Sequence, residues 1–368
     1  MPAPRKARKK YTYRGSYKKR SSKFKGLKKL FRLMGFSITG LVLFATAFYL
    51  YTLTENLRNP FAKASDGVDY TDKSYDSTDP FNIMIVDLEN KNDPYSKISN
   101  LYIYHIDPVN NRGVVFDIPT DVDIDFLSVN DEKNNISGLY GVGNLYEDTR
   151  GIKILYNFVK GQFSILPNAY IIYDAKSKED FKRFGIDIDI NNLGDSIKYS
   201  YFLKVSNLFD FSRKDVLSDL SSIEMVKIIG DTKNITPSSY KYIKLEKHHI
   251  LNPYDFDSVW QDNTYYLDID NERHTVTILN STSTPGLANW GARVVKNVKG
   301  GVLEVGNHQD ILNENIIYSS LDDSKLLNYL IEFYNVQSVK PSSDYTENPF
   351  LAKRSDILLV LGKKAEMR

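Results

Sequence analysis

The sequence predicts an α/β chain carried on one N-terminal membrane helix, with a larger α/β domain followed by a small βαββαβ sandwich. Three observations predict it. A charge-free apolar run follows a strongly basic N-terminal tail. Short apolar strands alternate with amphipathic helical stretches through the body. Residues 272–368 then give the order strand, helix, strand, strand, helix, strand.

The near-neutral net charge of +2 is the sum of two opposite regions. Of the 48 Lys and Arg, fourteen lie in residues 1–32, which hold no acidic residue; the remaining 34 face 46 Asp and Glu, a balance of −12. The absence of cysteine excludes disulfides, thiolate nucleophiles and Cys-ligated metals. A folded body without disulfides must be held by core packing, which 368 residues permit.

Leu33 to Thr54 is a run of 22 residues without a charge. At about 1.5 Å per residue it covers roughly the 30 Å of a hydrocarbon core. Phe48, Tyr49 and Tyr51 cluster near its end, where an interfacial aromatic belt would sit. Lys23, Lys25, Lys28, Lys29 and Arg32 precede the run and Glu55 follows it, so the positive-inside rule puts residues 1–32 in the cytoplasm and the body outside. Ala45-Thr46-Ala47 has the pattern of a signal-peptidase site, but the apolar run continues to Leu53, which favours an uncleaved anchor. The expected partner of residues 33–54 is the lipid bilayer. The basic tail reads as a topology signal on anionic lipid, with nucleic acid the less favoured partner despite Tyr11, Tyr13 and Tyr17.

Residues 55–79 are polar and punctuated by Asn59-Pro60, Gly67 and Asp79-Pro80, as a linker would be. Strands are expected at 81–87, 101–106 and 114–118, the last two as a hairpin around Asp107 to Gly113. Asp121, Asp123 and Asp125 alternate with apolar residues and share one face, a solvated strand face with cation binding the lesser alternative. Ile152, Leu155, Tyr156 and Val159 line one side of a helix from Arg150 to Lys160. Ala169–Tyr173 reads as a strand, and Phe181 to Ile190 as a helix end and a strand. Ser212 is the expected N-cap of a helix running to Met225. His248 and His249 are read as surface residues that point different ways. The first domain is set at residues 80–232 and a connecting segment at 233–271. The final unit, 272–368, has strands at 275–279, 302–305, 315–318 and 356–362 and helices from Leu287 and Lys325; a split βαβ layout is expected, two helices on one face of a four-stranded sheet.

Val276-Thr-Ile-Leu-Asn280, Pro285-Gly-Leu-Ala288, Ile316-Ile-Tyr318 and Asp356-Ile-Leu-Leu-Val-Leu-Gly362 resemble the LytR C-terminal domain of bacterial envelope proteins, with Ser281 where that family has glycine. The preceding segment resembles a LytR-CpsA-Psr domain, which implies an α/β fold with a mixed central sheet. That family moves glycopolymers from a polyprenyl-pyrophosphate carrier to peptidoglycan, and the leaving group calls for a divalent cation and several guanidinium groups. Asp87 falls on the family's first metal-binding Asp. Its Arg-Ser-Asp motif falls on Ile98-Ser99-Asn100, and its Ser-Ile-Pro-Arg-Asp on Asp117-Ile118-Pro119-Thr120-Asp121. Asp210-Phe211-Ser212-Arg213 keeps one arginine of a later motif. Gly138, Gly141 and Gly143 follow the place of a binding-site lysine, occupied here by Asn134 or Asn135.

The resemblance thus implies a degenerate member. The expectation is a single-pass cell-membrane protein that binds or scaffolds cell-wall glycopolymer or polyprenyl-phosphate lipid, without transferring it and without a cofactor. The alternative is an active, divergent phosphotransferase or pyrophosphatase with Asp87 and Asn100 holding Mg²⁺ and Asp121 and Arg213 as catalytic groups. The oligomeric state is left open.

Overall fold

A computed structural model of the chain describes residues 74–129, 132–146, 151–177, 179 and 216–366, together with Thr46. Apart from Thr46, the expected tail and membrane span and most of the linker lie outside the described residues, as do Phe181 to Ile190 and Ser212. No helix among the described residues is long and apolar enough to cross a membrane.

The body is mixed α/β. Its first sheet has six strands in the order β7-β6-β1-β2-β3-β8. They are β1 (Phe81–Leu88), β2 (Ile98–Asp107), β3 (Arg112–Ile118), β6 (Ala169–Asp174), β7 (Leu217–Ser218) and β8 (Tyr240–Lys244). The β1, β2 and β3 neighbours run antiparallel, with β2 and β3 the expected hairpin, while β6 lies parallel to β1 and β8 parallel to β3. Every residue of β1 is buried, because the sheet is covered on both faces. Met84, Val86 and Leu88 face one core; Phe81, Ile83 and Ile85 face the other. β4 (Asp123–Val129) and β5 (Glu132–Asn135) form a separate hairpin. Asp121, Asp123 and Asp125 are exposed and Val122 and Ile124 buried, as the period of two requires.

Helices α1 (Leu139–Tyr146) and α2 (Gly151–Phe163) follow, and Ile152, Leu155, Tyr156 and Val159 of α2 are buried together. The helix expected from Ser212 to Met225 is replaced. β7 occupies 217–218, and α3 runs Ser222–Asn234. Ser221 and Glu224 close a reciprocal capping box there, and this local signal sets the helix start. Residues 233–271, expected as a connecting segment, supply β8 to the first sheet and then α4 (Lys247–Leu251), α5 (Pro253–Asn263) and α6 (Leu267–Glu272). His248 and His249 do not diverge: their rings lie 3.9 Å apart on α4.

The second sheet has five strands in the order β10-β9-β13-β11-β12. They are β9 (Thr275–Asn280), β10 (Gly301–Asn307), β11 (Ile316–Ser319), β12 (Val339–Pro341) and β13 (Ile357–Leu361), with α7 (Leu287–Asn297), α8 (Lys325–Tyr334) and α9 (Pro349–Arg354) between them. The expected split arrangement is not formed. β9 and β10, joined through α7, pair directly in parallel, and β11 and β12, joined through α8, do the same. The buried strand β13 enters between these two units, parallel to β9 and antiparallel to β11. A βαβ unit can place its strands side by side or one apart, and element order alone does not choose. The largest core cluster runs through both sheets, from Val86 and Phe116 through Trp260 to Trp290, Ile278 and Leu359.

Candidate functional site

One group of polar side chains of the first sheet gathers where the parallel strands β1 and β6 end, the usual place for ligands in open α/β sheets. Asp87 is the seventh residue of β1, beside a register shift at Asp87/Leu88. It stands opposite Asn100 on β2 and Tyr173 on β6. Paired residues share a face, so the Asn100 amide donates to Asp87 Oδ2 at 2.8 Å. Two residues along β2, Tyr102 pairs with Asp117 on β3. Tyr242 of β8 donates its hydroxyl to Asp117 Oδ2 at 2.5 Å. The result is a belt of Tyr173, Asp87, Asn100, Tyr102, Asp117 and Tyr242 across the sheet.

Electrostatics fixes the character of this belt. Burial first, then the carboxylates of Asp117 and Asp87, pushes the Tyr102 phenol up to about 12. Burial and then Asp87 raise Tyr173 beyond the ordinary phenol range, and burial with the Asp117 hydrogen bond does the same for Tyr242. The belt therefore offers phenol O–H donors beside carboxylate acceptors. Among the described residues near the belt, the cation Lys91 is already engaged. Lys91 Nζ donates to Ser177 Oγ at 3.1 Å and lies 3.9 Å from Asp174 Oδ1 at the end of β6. Asp174 is buried, yet hydrogen bonds from Ser177 and from the Lys91 backbone hold its carboxyl below the usual range.

The residues expected at the site are distributed as follows. Asp87 and Asn100 are brought together. Asp121 lies beyond β3, exposed, in a 2.7 Å ion pair with Lys247 of α4 that lowers its pKa. Arg213 lies outside the described residues. Ile98, at the position of a family arginine, is only 2% exposed and belongs to the main core. Gly141 serves packing, since a Cβ there would stand 2.9 Å from the Tyr95 carbonyl oxygen in the loop between β1 and β2. Asp117 opens the Asp117–Asp121 motif position, whereas Tyr102, Tyr173 and Tyr242 carry no signal in the linear sequence and are gathered by the strand register.

Among the described residues the pair is a poor fit for Mg²⁺, which takes oxygen ligands in a near-octahedral shell, because Asn100 brings a neutral amide to Asp87 where a second carboxylate would balance the ion's charge. No group of three or more His, Asp or Glu is placed to hold a metal among the described residues.

Fold and site together define an α/β protein with two large sheets and a carboxylate and tyrosine belt at the strand ends of the first. No family model and no curated protein matches the chain. Among solved structures it is similar to the transcriptional regulator yvhJ from Bacillus subtilis, at 16% identity over 46% of this chain and 83% of that chain, with a TM-score of 0.36. It is also similar to B. subtilis TagV, at 12% identity over 46% and 85% with a TM-score of 0.36. TagT bound to LI-WTA is similar at 10% identity over 50% and 86%, with a TM-score of 0.34. Similarities this distant carry no functional argument, which rests on the chain's own residues.

Proposed function

We propose that the chain is a membrane-anchored, extracytoplasmic module of the bacterial envelope. It binds cell-wall glycopolymer, free or on its polyprenyl carrier, without transferring it. The sequence resemblance and the apolar run at 33–54 support the location. The observation that carries the loss of transfer is the Asn100 amide on Asp87, where the reaction needs a second carboxylate and a cation. The burial of Ile98 in place of an arginine agrees with it. Carboxylates beside protonated phenols suit sugar hydroxyls, which both donate and accept, better than they suit a pyrophosphate.

The test uses the full chain in lipid nanodiscs with Mg²⁺ and a polyprenyl-pyrophosphate-linked glycopolymer. Saturable retention of the glycopolymer without phosphate release is expected, with retention weakened in Asp87→Ala. Phosphate release that disappears in Asp87→Ala would overturn the reading in favour of an active transferase, and an absence of retention would remove it altogether.

A further inference from the structure

An open groove of about 480 Å³ is walled by α5, α7 and β10. It shares no residue with the first sheet or its strand-end belt. Two cations of α7, Arg293 and Lys296, and two anions of α5, Asp257 and Asp262, line it, so its formal charge sums to zero. Such a groove exerts no general pull on ions of one sign. What it selects depends on which of the four charges already have partners.

Two of them neutralise each other. Arg293 Nε and Nη2 hold Asp257 at 2.6 and 3.0 Å, and Nη2 also donates to Gln162 O at 3.0 Å. Asn297 Nδ2 adds a further bond to Asp257 at 2.8 Å. The guanidinium is thereby fixed in place, and Nη1 is its one nitrogen without a partner among the described residues. The other two charges are unpaired. Lys296 and Asp262 are both exposed, and neither side chain forms an ion pair or hydrogen bond among the described residues. Their charged groups therefore stand more than 4.0 Å apart across the groove. Ala292, Val302 and Val305 give the wall methyl groups, while Ser258 and Asn289 give it donors and acceptors.

We infer that the groove binds a short zwitterionic peptide, its terminal carboxylate on Lys296 and Arg293 Nη1 and its terminal ammonium on Asp262. A chain of three residues spans about 10 Å and reaches between ends too far apart to pair with each other. Small side chains lie on the methyl wall, and Ser258 and Asn289 meet the peptide groups. A polyanion is opposed by Asp262 and a simple cation by Lys296, so opposite charges at a set separation are what the groove distinguishes. Its role is independent of what the strand-end belt holds.

The experiment is methyl NMR on the full chain in nanodiscs, following Ala292, Val302 and Val305 during titration with trialanine. Saturable shifts at these methyls are expected, weakening as salt is raised. N-acetyl-trialanine lacks the ammonium and trialanine amide lacks the carboxylate; each should bind about fivefold more weakly, the size of one exposed ion pair. Asp262→Asn should weaken trialanine equally and leave the acetylated peptide unaffected. Lys296→Ala should weaken trialanine and leave the amide unaffected. Both side chains are exposed and unpaired, so the fold is kept in each variant. An absence of saturable shifts, equal affinity for the three peptides, or a loss in Asp262→Asn that the acetylated peptide shares would each overturn the inference.

Discussion

Lys160 shows how one side chain senses its packing. It sits near the end of α2 with its ammonium 4.8 Å from the centre of the Phe333 ring. Burial lowers its pKa to about 8, and Glu332 only partly opposes this. The sign follows from linkage. Between about pH 8 and the unfolded value of 10.5 the unfolded chain holds the proton and the folded chain does not, so stability rises with pH across that window. Below it both states are protonated, and the folded state bears the cost of a buried charge. Lys160→Met is therefore expected to raise the denaturant midpoint near neutral pH and to flatten the rise toward alkaline pH. Urea titrations of both proteins at about pH 7 and about pH 9.5 measure it; an unchanged slope in the variant would refute the assignment. His105 shifts in the same direction and further. It is wholly enclosed, bonded through Nδ1 to Asn82 Oδ1 at 2.8 Å, and burial holds its pKa down to about 3.

At the scale of elements, α3 depends on its first turn. Ser221 Oγ accepts from the Glu224 backbone, and Glu224 reaches back to the Ser221 backbone at 2.7 Å. Glu224 also accepts from the Tyr75 backbone at 2.9 Å, so the cap ties the entry of the body to this helix. Ser221→Ala should cost about 1 kcal/mol, seen as a lower midpoint and faster amide exchange in 222–226. Much of this level is legible in sequence. The apolar runs of β1, β2, β3, β9 and β13 and the one-sided α2 are fixed by period and length. β8 is not, because Tyr240-Lys-Tyr-Ile-Lys244 reads as polar; it is an edge strand whose pairing with β3 comes from tertiary contact. The same gap hid half the site. Asp87, Asn100 and Asp117 stand out as motif positions, but Tyr102, Tyr173 and Tyr242 become their neighbours only through cross-strand register, which a linear pattern does not carry.

One face of α7 helps to join the two large sheets of the body. The last carbonyls of α2 lack helical partners of their own, and three side chains of α7 supply them. Trp290 Nε1 donates to Gly161 O at 3.0 Å, Arg293 Nη2 to Gln162 O at 3.0 Å and Asn297 Nδ2 to Phe163 O at 3.1 Å. Arg293 also forms a two-pronged pair with Asp257 of α5, at 2.6 and 3.0 Å, and Asp257 is 6% exposed. Removing one partner strands a buried charge, so Arg293→Ala should cost roughly 3–5 kcal/mol, whereas Arg293→Met with Asp257→Leu should cost much less. Calorimetry of both variants checks this; equal losses would mean that the pair itself, and not the stranded carboxylate, sets the cost. One further feature reaches beyond the single molecule. β10 is the outer strand of its sheet, and its pairing with β9 slips between Val302 and Glu304. A bulge bends the strand and breaks the straight row of backbone groups that a foreign strand would have to match. Wherever identical bodies crowd side by side, that irregularity discourages the copies from zipping into one another, and so keeps them separately available to whatever they bind.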